Sequence, residues 1–370
     1  MSKVNPPFRA DHVGSLMRPR AVLQARQDAA NGKITPAELR QIEDEHIANV
    51  VKQQEAVGLQ SITDGEFRRA FFHLDFLEQL AGVSVTGTIE ASSDAQEKVG
   101  FTPPKLSVTG KLRHAKNIQV DDFNFLNSQV SRTPKVTIPS PTMVHFRGGR
   151  AAIDIESYPD LDLFFADLAQ CYRDEISALY AAGCRYIQMD DTNLAYLCDP
   201  KMRQGAIERG DDPNELPHTY AELINAVIDN RPADLTICVH LCRGNFRSTW
   251  FAEGSYEPVA EVLFTELNVD GYFLEYDDER SGGFQPLRFV PDNKTVVLGL
   301  VSTKRPELEK QAELLQRIEE ASQYVPLEHL CLSPQCGFSS TLHGNEISED
   351  EQWRKLALVV DTAQQVWGRA

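Results

Sequence analysis

A (β/α)8 barrel is the fold this sequence predicts, and three observations predict it. Eight short β-type runs recur along the chain, helical patterns separate them, and residues suited to binding metals or charged groups gather where those runs end. A length of 370 residues suits one large barrel, because barrels exceed the usual domain size.

The runs fall at residues 9–15, 60–63, 135–138, 185–189, 235–240, 271–275, 295–300 and 329–333. Between the first two, Thr35-Pro36-Ala37-Glu38 supplies an N-cap, a proline at the first helical position and a Glu placed to close a capping box. Leu39, Ile42, Val50 and Val51 then form an apolar stripe, and Gly58 suits the position just past the helix end. Segments 161–182, 216–229, 255–267, 306–324 and 348–367 also read as helix, with Pro326 stopping the one at 306–324. One stretch breaks the rhythm. Residues 81–134, rich in Val, Thr, Ser and Gly and containing Pro103-Pro104, are too long for an unstructured loop and read as a β-type insertion between strands 2 and 3. With no repeat or linker in view, residues 1–370 read as a single decorated barrel.

Composition limits the partners. A net charge of -17 disfavours nucleic acid and anionic membrane surfaces, which select clustered Lys and Arg, so a small-molecule partner is expected. The first residues lack an apolar signal region and no later run approaches a membrane span, which predicts a cytoplasmic protein. Seven cysteines without disulfide-framework spacing are expected to be reduced, most of them as small core residues.

Barrel active sites form at the C-terminal ends of the strands. His240 and Cys242 close the fifth run, Glu275 ends the sixth and Cys336 follows the eighth, which makes a candidate site for Zn2+. Residues i and i+2 of a strand share a face, so His240 and Cys242 can point the same way. Two thiolates, one carboxylate and a neutral imidazole leave a formally negative zinc centre, better suited to activating a thiol than a water. Asp190 and Asp191 close the fourth run, and as neighbours on a strand they point to opposite faces, so only one is expected at the mouth. His12-Val13-Gly14-Ser15 is either a tight exit from the first strand or a set of amides and a hydroxyl for a carboxylate. Glu66, Arg68 and Arg69 form either a solvated loop face or a substrate site. Phe71, Phe72, Phe76 and Leu77 read as packing and His46 and His73 as structural, while His114, His145 and His218 have no evident partner.

These residues resemble the catalytic C-terminal barrel of cobalamin-independent methionine synthase. The likeness runs through His12-Val13-Gly14-Ser15, Asp64-Gly65-Glu66, Ile187-Gln188-Met189-Asp190, His240-Leu241-Cys242, Glu275 and Ser333-Pro334-Gln335-Cys336-Gly337. The resemblance implies methyl transfer to the sulfur of homocysteine from 5-methyltetrahydrofolate or its polyglutamate. It also implies that His240, Cys242, Glu275 and Cys336 hold zinc and that the glutamate yields its place to the substrate thiol. Glu66 and Asp190 match positions that bind the amino-acid ammonium, and Ser15 one that meets the carboxylate, with His12 counted beside it. Full-length members carry a second, N-terminal barrel, and 370 residues have room for one. Where those members have a histidine after the seventh strand, Ser302-Thr303-Lys304-Arg305 stands here, which makes Lys304 the candidate acid. Two alternatives remain from similar barrels: zinc enzymes that join other thiols to other electrophiles, such as an epoxyalkane transferase, and the metal-free uroporphyrinogen decarboxylase.

Overall fold

The computed structural model describes residues 6–88 and 104–370. Residues 1–5, and residues 89–103 of the expected insertion, lie outside the described residues. The helices are α1 Arg20–Ala30, α2 Pro36–Val57, α3 Leu74–Leu77, α4 Val120–Gln129, α5 Leu161–Ala181, α6 Asn193–Tyr196, α7 Pro200–Glu208, α8 Leu216–Ile228, α9 Glu257–Thr265, α10 Gln311–Ser322 and α11 Glu349–Trp367. The strands are β1 Ser61–Ile62, β2 Ala81–Thr88, β3 Pro104–Arg113, β4 Thr133–Pro134, β5 Val136–Pro139, β6 Tyr186–Asp191, β7 Thr236–Leu241, β8 Gly271–Glu275, β9 Thr295–Val301 and β10 Leu330–Pro334. Among the described residues, no helix is long and apolar enough to cross a membrane.

Six strands, β5 to β10, pair in parallel and in sequence order, as successive strand–helix crossovers require. β1 pairs in parallel with β4, which runs on into β5, and Ala10 bridges in parallel to Leu332 of β10. Outside, α2 packs on α4, α4 on α5, α5 on α8, α8 on α9, α10 on α11, and α11 returns to α2. The fold is the (β/α)8 barrel.

Three expectations need correction. The first strand, expected over 9–15, is reduced to the one bridge at Ala10, because side chains replace the ladder on its other edge. Thr63 Oγ1 donates to Gly14 O at 2.7 Å and Ser61 Oγ donates to Asp11 Oδ1 at 2.7 Å, while the backbone bond from Leu16 N to Gly65 O, at 3.0 Å, lies just past this segment. The insertion is β-type only as far as Arg113: β2 and β3 form an antiparallel hairpin, and residues 120–129 are the barrel helix α4, which buries Phe123 and Leu126. The helix expected at 306–324 starts at Gln311. Helices α1 and α7 arise where no helix was expected, each begun next to a proline, Pro19 and Pro200. Two helices carry complete capping boxes, Thr35 with Glu38 on α2 and Ser348 with Glu351 on α11.

The interior at the N-terminal end of the strands holds Phe8, Val13, Tyr186, Cys238, Phe273, Val297 and Cys331. Within the barrel, Lys135 Nζ donates to Asp11 Oδ1 at 3.1 Å and to His12 O at 2.6 Å, over the rings of Phe273 and Tyr186. Asp11 also accepts from Tyr186 Oη at 2.8 Å, His12 N at 2.8 Å and Phe8 N at 3.2 Å. Burial alone would raise the pKa of Asp11, but Lys135 and these hydrogen bonds outweigh it and hold the carboxyl below its ordinary value. Both side chains are fully buried, so removing one leaves the other as an uncompensated buried charge. For Lys135→Met we expect a loss of about 3–5 kcal/mol, read as a lower urea midpoint, with Asp11→Asn costing a similar amount and the double variant less than their sum.

Candidate metal centre

The donors arrive on strand ends that the ladder registers fix. β7 pairs with β8 from Cys238↔Gly271 to Leu241↔Leu274, so His240 lies on the strand next to Glu275, the last residue of β8. Cys242 is the first residue past β7. Cys336 comes by a different route, because the β9–β10 register shifts between Ser333 and Pro334, and Pro334 has no N–H to give the ladder. The chain then leaves the sheet, with Gln335 N donating to Val301 O at 2.8 Å and Gln335 Oε1 accepting from Thr303 N at 2.6 Å. Gly299 of β9 makes this possible, as it pairs with Glu275 on one side and Ser333 on the other. A Cβ at Gly299 would stand 2.6 Å from Gln335 Cα and 2.7 Å from Leu274 O.

One ligand atom from each of His240, Cys242, Glu275 and Cys336 lies within 4.8 Å of all the others, and all four residues are buried. The two sulfurs are 3.4 Å apart. That contact pushes the pKa of Cys242 down and of Cys336 up. Burial opposes protonation of His240, yet Cys242, Asp190 and Glu275 together raise its pKa. Neither ring nitrogen of His240 makes a geometrically sound hydrogen bond within the protein among the described residues. Buried polar atoms rarely go without a partner. Two thiols, an unbonded imidazole and a carboxylate packed this closely fit a metal ion, and the sulfurs disfavour magnesium and calcium. Glu275 Oε1 accepts from Arg243 N at 2.9 Å and Oε2 from Arg280 Nη2 at 2.9 Å. Burial works to raise its pKa, but Lys304, Arg280 and His240 outweigh that and keep it low.

The other candidates surround this cluster. Glu66, at a left-handed φ of 59°, is buried, with Oε1 accepting from Thr137 Oγ1 at 2.8 Å and 3.7 Å from Arg69 Nη1. Its Oε2 has no hydrogen-bond partner among the described residues. Asp190 Oδ1 accepts from Gln188 Nε2 at 2.7 Å, and burial, followed by the charge of Glu66, pushes its pKa up to about 7. Of the two readings of Glu66, Arg68 and Arg69, the solvated face does not hold for Glu66 and Arg69, which are buried, the latter donating to Thr137 O at 2.6 Å. Asp191 points the other way and caps the start of α6 by accepting from Leu194 N at 2.8 Å. Ser15 Oγ lies where a Cβ on Gly337 would be 1.9 Å away, and it accepts from Ser339 N at 3.4 Å. His12 sits between the first two strands with Nε2 3.2 Å from Ser61 O, and burial and Lys135 push its pKa down to about 4. Lys304 Nζ donates to Asn245 Oδ1 at 2.9 Å and Thr249 O at 3.4 Å, while Asn245 Nδ2 donates to Gly337 O at 2.9 Å. The three histidines left without partners have them: His114 meets Glu175, His145 meets Tyr220 and His218 meets Glu266. Sequence reasoning missed Arg280 and Asn245, which reach the site through loops whose course no local pattern announces.

Residues 8–365 match the model of the family described as the cobalamin-independent synthase, catalytic domain. The chain belongs to this family. It is thereby an enzyme of the cobalamin-independent methionine synthase type. Within the family, a Bacillus subtilis protein of uncharacterised function, YxjH, is 47% identical over 98% of this chain and 95% of its own. A methionine synthase of Pyrococcus horikoshii is 23% identical over 88% of this chain and 84% of its own. The crystal structure of a Listeria monocytogenes protein, titled a putative vitamin-B12 independent methionine synthase, is similar at a TM-score of 0.79 and 42% identity, over 99% of this chain and 100% of that one.

The close approach at Gly299 yields a prediction. Gly299→Ala should push the segment leading to Cys336 away from β9, cost about 1–3 kcal/mol in thermal or urea unfolding, and weaken metal binding in a chelator competition.

Proposed function

We propose that the protein is a zinc-dependent methyltransferase that ionises the thiol of homocysteine and methylates it from a methyltetrahydrofolate-type donor, forming methionine in the cytoplasm. The reading is carried by the buried meeting of His240, Cys242, Glu275 and Cys336. The relative named methionine synthase supports the same reaction here. We read residues 1–370 as one barrel with the hairpin as an insertion, and this barrel brings Ser15, Glu66, Asp190 and Lys304 to the reading along with the four donors.

Zinc bound by these four supplies the charge that lowers a substrate thiol's pKa from about 8.5 and keeps the sulfur nucleophilic at neutral pH. The chain's own residues do the rest. Glu66 and Asp190 are two buried carboxylates, the charge of Glu66 helps to raise the pKa of Asp190, and a substrate ammonium relieves that repulsion. Asp190 is hydrogen-bonded by the neutral Gln188, which leaves its charge for the ligand. Ser15, with His12 in the same turn, receives the substrate carboxylate. The sulfur, fixed at one end by these contacts, meets the donor methyl in line, which lowers the entropic cost of the displacement. Lys304 is held at the mouth by Asn245 and Thr249 and gives its proton to the leaving amine.

Protein purified without a metal-binding tag should carry about one zinc per chain and form methionine from homocysteine with methyltetrahydrofolate, its polyglutamate or a simpler methyl donor. Zinc below about a tenth of an equivalent would remove the reading and favour the metal-free decarboxylase class. Homocysteine binding without methylation by any donor would point to another electrophile. Cys336→Ser should lose zinc and activity while keeping a cooperative melt. Asp190→Asn should raise the KM for homocysteine about tenfold or more with a smaller change in kcat, since it removes a charged hydrogen bond to the ammonium.

A further inference from the structure

We infer that Arg280 is a positioning residue for substrate exchange: it receives the Glu275 carboxylate when a substrate thiol takes that carboxylate's place among the four donors. The inference rests on the thiol-activating reading above and names the group that makes the exchange easy.

The four donors are held unequally by the protein. Cys242 Sγ accepts one backbone N–H, from Gly244 at 3.3 Å, besides its contact with the other sulfur. Among the described residues, Cys336 Sγ has the Ser340 hydroxyl, at 3.8 Å, beyond that contact. The ring nitrogens of His240 have no geometrically sound hydrogen bond among the described residues. Glu275 differs, because each of its oxygens already accepts a hydrogen bond, one of them from a guanidinium. Positive charge against a carboxylate draws electron density away from any metal it binds, so Glu275 is the weakest donor of the set.

Arg280 is built to stay where it is. Its side chain is 3% exposed, Nη2 donates to Asp277 Oδ1 at 2.6 Å, and Nη1 pairs with Asp278. Trp250 covers the guanidinium at 5.0 Å. The backbone is fixed too: Asp278 Oδ1 accepts from Arg280 N at 3.0 Å to start a 3-10 turn over Glu279–Ser281, and Arg280 O accepts from Gly254 N at 2.8 Å. A carboxylate leaving a metal in this fully buried position would ordinarily face a large desolvation penalty. Arg280 removes it, because Glu275 already has a bonded resting place. With a metal held by the four residues, the substrate sulfur would supply the electron pair in place of the Glu275 oxygen, the thiol proton would pass to solvent, and Glu275 would stay ionised on Arg280 and Arg243 N.

The test uses the full-length enzyme loaded with cobalt(II), whose thiolate charge-transfer band reports sulfur binding without turnover. Arg280→Gln should need about tenfold or more homocysteine for the half-maximal band change. Its metal affinity in chelator competition should be unchanged or tighter, and Arg280→Lys should stay close to wild type in both. Should Arg280→Gln fail to fold because Asp277 is left unpaired, the Asp277→Asn/Arg280→Gln double variant carries the same expectation. Equal thiol response in wild type and the charge-removed variant, or a loss of metal affinity in that variant, overturns the proposal alone. If neither homocysteine nor 2-mercaptoethanol alters the wild-type spectrum, the thiol-activating reading falls and this proposal with it. If only 2-mercaptoethanol does, the homocysteine reading falls and Arg280 is judged on that thiol.

Discussion

The buried pair of Lys135 and Asp11 is the constraint on which the rest of the barrel depends. A closed parallel sheet normally joins every neighbouring pair of strands by a ladder, yet between the segment at residues 9–15 and β1 the join is made mainly by side chains. Asp11 gathers bonds from Phe8, His12, Ser61, Lys135 and Tyr186, so one carboxylate ties the first, second, third and fourth strand positions together. The arrangement is costly to desolvate and is stable because the carboxylate is surrounded by donors. Just past it Gly14 turns at a φ of 137°, and Ser15 lies against Gly337.

The upper half of the barrel follows from that closure. Residues His240, Glu275 and Cys336 belong to β7, β8 and the exit of β10, and their meeting depends on the register of β9 between the last two. Gly299 is the point where this register is tightest. The site is thus set by backbone spacing first and side-chain chemistry second, which is why its four donors converge from three strands with no two of them adjacent in sequence.

Much of this was legible in the residues. The strand ends carrying His240, Cys242, Glu275 and Cys336 stood out because a barrel converts sequence order into position at one mouth, so ligand-type residues after apolar runs are brought together whatever lies between them. The first strand was not legible as it is, since nothing in residues 9–15 reveals that Ser61 and Thr63 replace its ladder. Helix α4 was obscured by the β-rich hairpin before it, whose composition dominated the stretch. Arg280 and Asn245 were invisible for a different reason: each lies on a loop, and its direction is set by turns and distant acceptors that periodicity does not encode. Asp190 and Asp191 show the opposite case, where strand alternation alone separated one carboxylate facing the mouth from one capping a helix.

The parallel bridge between Ala10 and Leu332 joins residues near the two ends of the chain, and Cys242 meets Cys336 across 94 residues. Contacts of such long sequence separation form late, after the loop-closure entropy has been met. A ribosome-bound chain has the Lys135 side of the barrel before it has β10, so neither the last seam nor the last sulfur exists until synthesis is nearly complete. The four-donor cluster likewise waits for β10, because Cys336 follows that strand while His240, Cys242 and Glu275 precede it.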